Sequence, residues 1–235
     1  MSVNERLGLC FALILLAGAA FTDTAQAFPY QPQHGERWEY DILFRGDDVG
    51  DISIAFTRDD EGTLTVRSTT QARIKVAFVT VFRMESEAVE TWQGRRLQSM
   101  SFTSETNGEK QWGKIHRAAE GKLMSEGPNG RQALAGHMVH LASWTPYILL
   151  RKRFIRPLEN DVIDVDITRG RWENVPADGA TTRALRFHFP VDEAGNQSDI
   201  WYDKQRRFVR TVLTTPAATL AFERRRISLP AAGSK

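Results

Sequence analysis

His137-x-x-His140 is the pattern in this sequence closest to metal chemistry. On a helix, a spacing of three places both imidazoles on one side, and His188, His116 or a carboxylate could complete a zinc site. No Glu follows His137, so the general base of a metalloprotease helix is missing. The pair is read as two unrelated loop histidines, and no metal is assigned. Carboxylate pairs are more numerous: Asp47-Asp48, Asp59-Asp60, Glu85 with Glu87, and Asp164 with Asp166. Two on one strand face sit about 7 Å apart, a separation compatible with glycoside hydrolysis. The two Asp-Asp pairs fall in turns, where Asp caps its own backbone. Asp164 and Asp166 are the wet face of an otherwise apolar strand, and Glu85 and Glu87 share a face with Arg83 as a surface ion ladder. Gly-x-Ser-x-Gly is absent, and Ser143 lacks the glycine-flanked strand-to-helix elbow of a nucleophile. No phosphate-cradling glycine loop occurs. Neither a catalytic residue nor a cofactor is expected.

The elements that would position any site begin after an export signal. Arg6 supplies a basic start, Leu7 to Ala20 is a mainly apolar run, and Ala25-Gln26-Ala27 offers a small-x-small cleavage site. The run is too short for a transmembrane helix, which needs about 20 apolar residues. Residues 1–27 are therefore expected to be a signal peptide, and residues 28–235 a single periplasmic β-rich domain. The one cysteine, Cys10, lies within the apolar run, with Leu9 rather than a small residue before it, so a lipid anchor is not expected. Disulfides and thiol chemistry are then excluded from the mature chain. Setting aside Arg6, Glu5 and Asp23 leaves 30 basic and 27 acidic residues. The basic clusters Arg151-Lys152-Arg153, Arg206-Arg207 and Arg224-Arg225-Arg226 are read as solvated rims, with anionic headgroups or polysaccharide as the functional alternative. Nucleic acid is disfavoured by the compartment.

Alternation with period two dominates the mature region. Trp38, Tyr40, Ile42 and Phe44 share one face, as do Ile52, Ile54 and Phe56. From 63 to 76 the odd positions are polar, which predicts one long strand with a single wet face, or two joined by a bend. One solvated face per strand marks antiparallel sheet. Turn signals recur at short intervals, with Asn107-Gly108 the strongest. Strands are predicted at 36–45, 50–58, 63–76, 78–92, 95–106, 110–117 and 121–126. A second series falls at 161–168, 170–176, 181–189, 197–203, 206–215 and 218–228. Between the series the alternation stops. Ser143 or Thr145 reads as a helix cap with Pro146 in the first turn. Tyr147, Leu150 and Phe154 recur at helical spacing, and Pro157 marks an end, which predicts a short helix over about 143–155.

A family resemblance rests on particular residues. They are Tyr40 to Gly50, with Gly46 and Gly50 flanking a polar turn; Lys75-Val76-Ala77-Phe78; Glu90-Thr91-Trp92-Gln93-Gly94; Thr106-Asn107-Gly108; Ser143-Trp144; and Trp201-Tyr202-Asp203. Together they resemble a family of exported proteobacterial proteins known only as a domain of unknown function, over most of the mature chain. That pattern has a glycine in the turn after the Tyr-Asp pair, where this chain has Gln205-Arg206-Arg207. In outline the family is similar to periplasmic lipoprotein carriers, whose curved open barrel wraps a helix and holds acyl chains.

The expected fold is an all-β antiparallel meander forming a curved open barrel or half-barrel, with one short helix on its concave side. A two-sheet sandwich is the other arrangement the pattern allows. Function is expected to be non-enzymatic binding of a lipophilic or envelope-derived ligand, in an apolar cavity lined by Phe56, Phe78, Phe82, Trp144 and Tyr147. A scaffolding partner in envelope assembly is the alternative, and a metal- or carboxylate-dependent hydrolase the least favoured. Oligomeric state is not legible.

Overall fold

The computed structural model describes residues 30–156, 160–191, 195–216 and 218–230; the expected signal peptide and the Pro157 helix stop lie outside them. The chain forms β1 (Arg37–Phe44), β2 (Asp47–Arg58), β3 (Leu64–Val76), β4 (Val79–Gln93), β5 (Arg96–Thr106), β6 (Glu109–Arg117), β7 (Leu123–Gly127) and β8 (Gly130–Leu134). A middle segment follows with β9 (Val139–His140), a 3-10 turn (Pro146–Leu150), β10 (Arg153–Arg156) and β11 (Asp161–Asp164). The chain ends with β12 (Thr168–Ala177), β13 (Ala180–Pro190), β14 (Gln197–Tyr202), β15 (Phe208–Thr214) and β16 (Thr219–Ser228).

Two meanders are joined where β16 pairs antiparallel with β1, Trp38 opposite Ile227. The result is one 13-stranded sheet in the order β12 to β16 followed by β1 to β8, so both ends remain open edges. The small sheet β11-β10-β9 and the 3-10 turn supply the interior. Trp144, Ile148, Phe154 and Ile155 join Trp38, Phe56, Trp92, Leu123, Phe187 and Tyr202 in one continuous core. The curved, open, all-antiparallel sheet agrees with the sequence pattern.

Turn chemistry sets the hairpins. Asn107 and Gly108 take φ of 53° and 92°, and Asp178 and Gly179 take 56° and 70°, the positive pairs of two-residue loops. Gly50 sits at the irregularity between β1 and β2. There the Gln71 carbonyl of β3 occupies the space where a Cβ would project, so no other residue fits.

The predicted helix is corrected to five residues. Thr145 is the cap, its Oγ1 accepting from the Tyr147 backbone N–H at 3.3 Å, and Pro146 opens the turn. Phe154 and Ile155 instead pair with Ile163 and Val162 in the small sheet. Helical spacing misled because Leu150, one of the three periodic residues, is largely exposed while Phe154 is buried through a strand.

A buried cation ties the second meander together. The Arg224 guanidinium donates to both Asp178 oxygens, at 2.9 and 2.7 Å, to the Phe208 carbonyl at 3.0 Å and to Asp203 at 3.4 Å. Asp203 also accepts from the backbone N–H groups of Gln205 and Arg207. Val175, Ala177, Ala184, Trp201 and Val209 form a second, smaller core, so Trp201 and Tyr202 point into different cores.

The tight turn after Asp203 places Arg206 at φ 65°, a conformation costly for any residue with a Cβ. This is the turn where the resembled pattern carries glycine. Arg206→Gly should therefore raise the unfolding free energy by about 0.5–1 kcal/mol, read from urea denaturation.

Burial raises the phenols of Tyr40 and Tyr202 well above the ordinary range. Burial, and then the hydrogen bond to Glu36, pushes Tyr30 up to about 12. With folded values above the unfolded value of 10.0, the neutral phenols contribute stability that is complete below pH 10. For Tyr30 it is lost as pH rises through about 12. In an alkaline titration, tyrosinate absorbance from these three residues should stay absent at pH 10, and that of Tyr40 and Tyr202 should appear only together with loss of the native circular dichroism.

Candidate functional site

The space beside Trp144 and Tyr147 is filled by side chains. Trp144 meets Phe56 at 5.6 Å between ring centroids and Trp92 at 5.6 Å, and Phe56 meets Trp38 at 4.9 Å, all edge-on. Such pairs add about 0.5–1.5 kcal/mol each beyond their burial. Tyr147 is buried on the same interior segment. Phe82 is half-buried on β4, and Phe78 is fully exposed at the β3–β4 turn. The five aromatics expected to line one cavity are thus divided. Phe56, Trp144 and Tyr147 belong to the core, and the two β4-side residues stand at the opposite end of that strand.

The two histidines of His137-x-x-His140 diverge. His140 is buried, its Nε2 3.2 Å from Glu90 Oε1, while His137 is exposed. His188 pairs with Asp199 at 3.0 Å. Among the described residues no His/Cys/Asp/Glu group gathers in a way that could hold a metal ion. Of the carboxylate pairs, Asp59 accepts from Thr63 N–H within its own turn, whereas Asp47 and Asp48 lie in β2 rather than in a turn, with Asp48 accepting from Gly50 N–H. Glu85 and Glu87 pair with Arg83 and Arg67, and Asp164 with Arg153.

Charge gathers elsewhere without a counter-ion. The β4–β5 turn, with Gly94 at φ 58°, presents Arg95 and Arg96. Arg117, the last residue of β6, reaches back to hold three carbonyls: Leu97 at 2.6 Å, Gly121 at 2.7 Å and Gly136 at 2.9 Å. Gly136 must be glycine, because a Cβ there would strike the Gly121 carbonyl. From the other side Arg151 closes the 3-10 turn, its backbone N–H on the Ile148 carbonyl at 3.0 Å. These elements enclose a cleft of about 540 Å³, with His137 and the four arginines on its walls and Leu97, Met138 and Val139 at its base.

Among the described residues no acidic residue lines this cleft. Arg151 Nε is buried and has no hydrogen-bond partner. Desolvation, and then the neighbouring charge of Arg96, pull the Arg117 guanidinium below its ordinary value. Arg95 lies 5.2 Å over the Tyr147 ring, a cation–π contact that aims it across the cleft mouth. Guanidiniums stay charged and offer forked donors to carboxylate or phosphate, so the arrangement can hold an anion. A second cleft of about 560 Å³ near Thr70, Ser86 and Trp112 differs: its Glu85, Glu87, Glu105 and Lys110 are matched in ion pairs.

Arg151 belongs to a basic cluster expected to be a solvated rim, and Arg95, Arg96 and Arg117 stand in no motif. The adjacent arginines after the Gln93-Gly94 turn were the one local signal. The rest of the cluster comes from residues more than 20 positions away.

A curled, open antiparallel sheet closed over an interior segment is the class this structure defines. The chain belongs to the family described as Domain of unknown function (DUF6134), whose model matches residues 40–225. The unknown-function family indicated by the sequence motifs is therefore borne out. The sequence matches no curated protein. Among solved structures, it is similar to a β-barrel-like protein of domain of unknown function DUF1849 from Brucella abortus. The identity is 11% and the TM-score 0.57, covering 83% of this chain and 97% of that one. It also matches a chain of the Pseudomonas aeruginosa MucA/MucB complex at 12% identity and TM-score 0.38, covering 86% of this chain and 54% of that one. A hypothetical protein, CT021 from Chlamydia trachomatis, matches at 9% and 0.37, covering 86% and 90%. The first of these likenesses supports the β-barrel-like fold. Among the described residues no helix is long and apolar enough to cross a membrane.

Arginines that tie backbone segments together and arginines that do not should separate on substitution. Arg117→Met removes bonds to three carbonyls. It should lower stability by about 2–3 kcal/mol in urea denaturation, the cost of orphaned polar groups. Arg95→Ala, exposed, should change it by less than about 0.5 kcal/mol.

Proposed function

We propose that this is an exported binding protein of the cell envelope, whose cationic cleft holds the anionic group, phosphate or carboxylate, of an envelope-derived ligand. The observation that carries the reading is the convergence of Arg95, Arg96, Arg117 and Arg151 on one cleft with no carboxylate among the described residues of its walls. Like charges brought together repel, and folding tolerates that arrangement at a cost that a bound anion would relieve. The unpartnered Arg151 Nε supports the same reading, since a buried donor without an acceptor is destabilising until one arrives.

The basic start, apolar run and small-x-small site of residues 1–27 support placement outside the cytoplasm. The lipophilic part of the expected ligand finds less support inside the fold, where side chains pack the space between sheet and interior segment. Leu150, next in the chain to Arg151, is largely exposed and offers apolar surface at the cleft side instead. An amphiphile could therefore set its headgroup among the arginines without entering the core.

Calorimetric titration of the protein with inorganic phosphate and with a water-soluble short-chain phosphatidic acid tests this. Both should bind, more weakly as salt rises. The double variant Arg95→Ala/Arg96→Ala should weaken binding by at least about tenfold, equivalent to about 1.4 kcal/mol, while retaining the native circular dichroism. Tighter binding of the phosphatidic acid than of phosphate would identify an amphiphile as the ligand class. Absence of binding by either probe, or equal binding by the double variant, would overturn the proposal.

A further inference from the structure

The β3–β4 hairpin outruns its neighbours. Pairing of β2 with β3 stops at Gly50 opposite Ala72, and pairing of β5 with β4 stops at Thr106 opposite Met84. Residues 73–83 therefore project as a two-stranded ribbon with no strand of the described residues on either side, reaching about 15 Å past the sheet at about 3.3 Å per residue. Asn107 closes its base, donating its N–H to the Arg83 carbonyl at 2.9 Å and accepting the Arg83 N–H on Oδ1 at 2.8 Å.

The end of this ribbon is apolar and bare. Phe78 is 100% exposed, Val79 65% and Val81 52%, three large hydrophobics within four residues. A soluble surface does not ordinarily gather such residues at a point of greatest protrusion. Immediately behind them stand Arg73, Lys75 and Arg83, and no Asp or Glu occurs between 73 and 83. Arg73 lies directly opposite Arg83 across the ladder, a like-charge pairing that destabilises a hairpin unless something negative faces it. Glu85, 2.6 Å from Arg83, offsets one of the three cations.

We propose that this ribbon is a bilayer-docking tip for an anionic membrane. Phe78 and Val79 enter the boundary between headgroups and acyl chains, about 5–10 Å deep, and the three cations behind them sit at the level of the lipid phosphates. The ribbon cannot go deeper, because its unpaired backbone edges must stay hydrated. The order along the ribbon, apolar end first and cations behind, matches the layering of a membrane surface. A protein partner pairing along the ribbon edges would not require an apolar tip. The inference is independent of the cleft, which opens beyond the other end of β4, some 45 Å away along the strand.

Flotation of the protein, as it accumulates in the cell, with phosphatidylcholine vesicles with and without phosphatidylglycerol tests the proposal. Partition should be at least about tenfold higher with the anionic lipid, and Phe78→Asp should reduce it by at least about tenfold. Arg73→Ser/Lys75→Ser should abolish the difference between the two vesicle types. Phosphate binding by the cleft should be unchanged in both variants, which separates failure of the tip from failure of the cleft. Partition insensitive to Phe78→Asp would overturn the inference. So would a Phe78→Asp variant that changes only the sedimenting mass, which would assign the tip to contact between copies.

Discussion

Glu90 is the interaction on which the interior depends. Its carboxylate is 3% exposed and accepts the indole N–H of Trp92 at 2.7 Å and that of Trp144 at 3.2 Å, with His140 Nε2 at 3.2 Å from its other oxygen. Trp92 comes from the same strand, but Trp144 and His140 come from the middle segment. One buried carboxylate therefore fastens that segment to the inner face of the sheet. A carboxylate so buried is costly without donors, so its partners must arrive together, and their arrival brings the Trp144 ring against Phe56 and Trp92. Glu36 repeats the device near β1, accepting from Trp38 Nε1 at 2.6 Å, the Tyr30 hydroxyl at 2.8 Å and the Gln33 N–H at 2.8 Å.

This arrangement accounts for the filled interior. A carrier needs empty apolar volume between sheet and filler, whereas here polar ties draw the filler tight against the aromatic wall. Charge is displaced to the periphery, to the ends of strands, where turns gather groups that the core cannot accept. The cleft at the β4–β5 end is cationic because Arg117 must sit there to satisfy three carbonyls of converging loops, and Arg95, Arg96 and Arg151 add to it without compensation. At the opposite end of β4, the long hairpin exposes what it has no neighbour to bury.

Parts of this were legible from local rules. The polar odd positions of 63–76 do form one strand, β3, because a single wet face is enough to set its register. The Asn107-Gly108 hairpin forms as its residue types require. The helix over 143–155 was misjudged because Tyr147, Leu150 and Phe154 satisfy a helical period while belonging to three different settings. Tyr147 is buried in a short turn, Leu150 faces water, and Phe154 lies in a strand. Gly46 and Gly50 are expected to flank a polar turn, but the loop is Arg45-Gly46 and residues 47–49 already belong to β2, with Arg45 at φ 56° where side chains are disfavoured.

The sequence by itself determined the all-β antiparallel character, the positions of most hairpins and membership of an unknown-function family, because alternation and turn residues act over a few positions. Only the tertiary structure decided that β16 closes on β1, that Trp38, Phe56, Trp92 and Trp144 meet in one core, and that four arginines from three separate segments share one cleft. Those outcomes depend on which distant backbones approach one another, and no local periodicity encodes such distances.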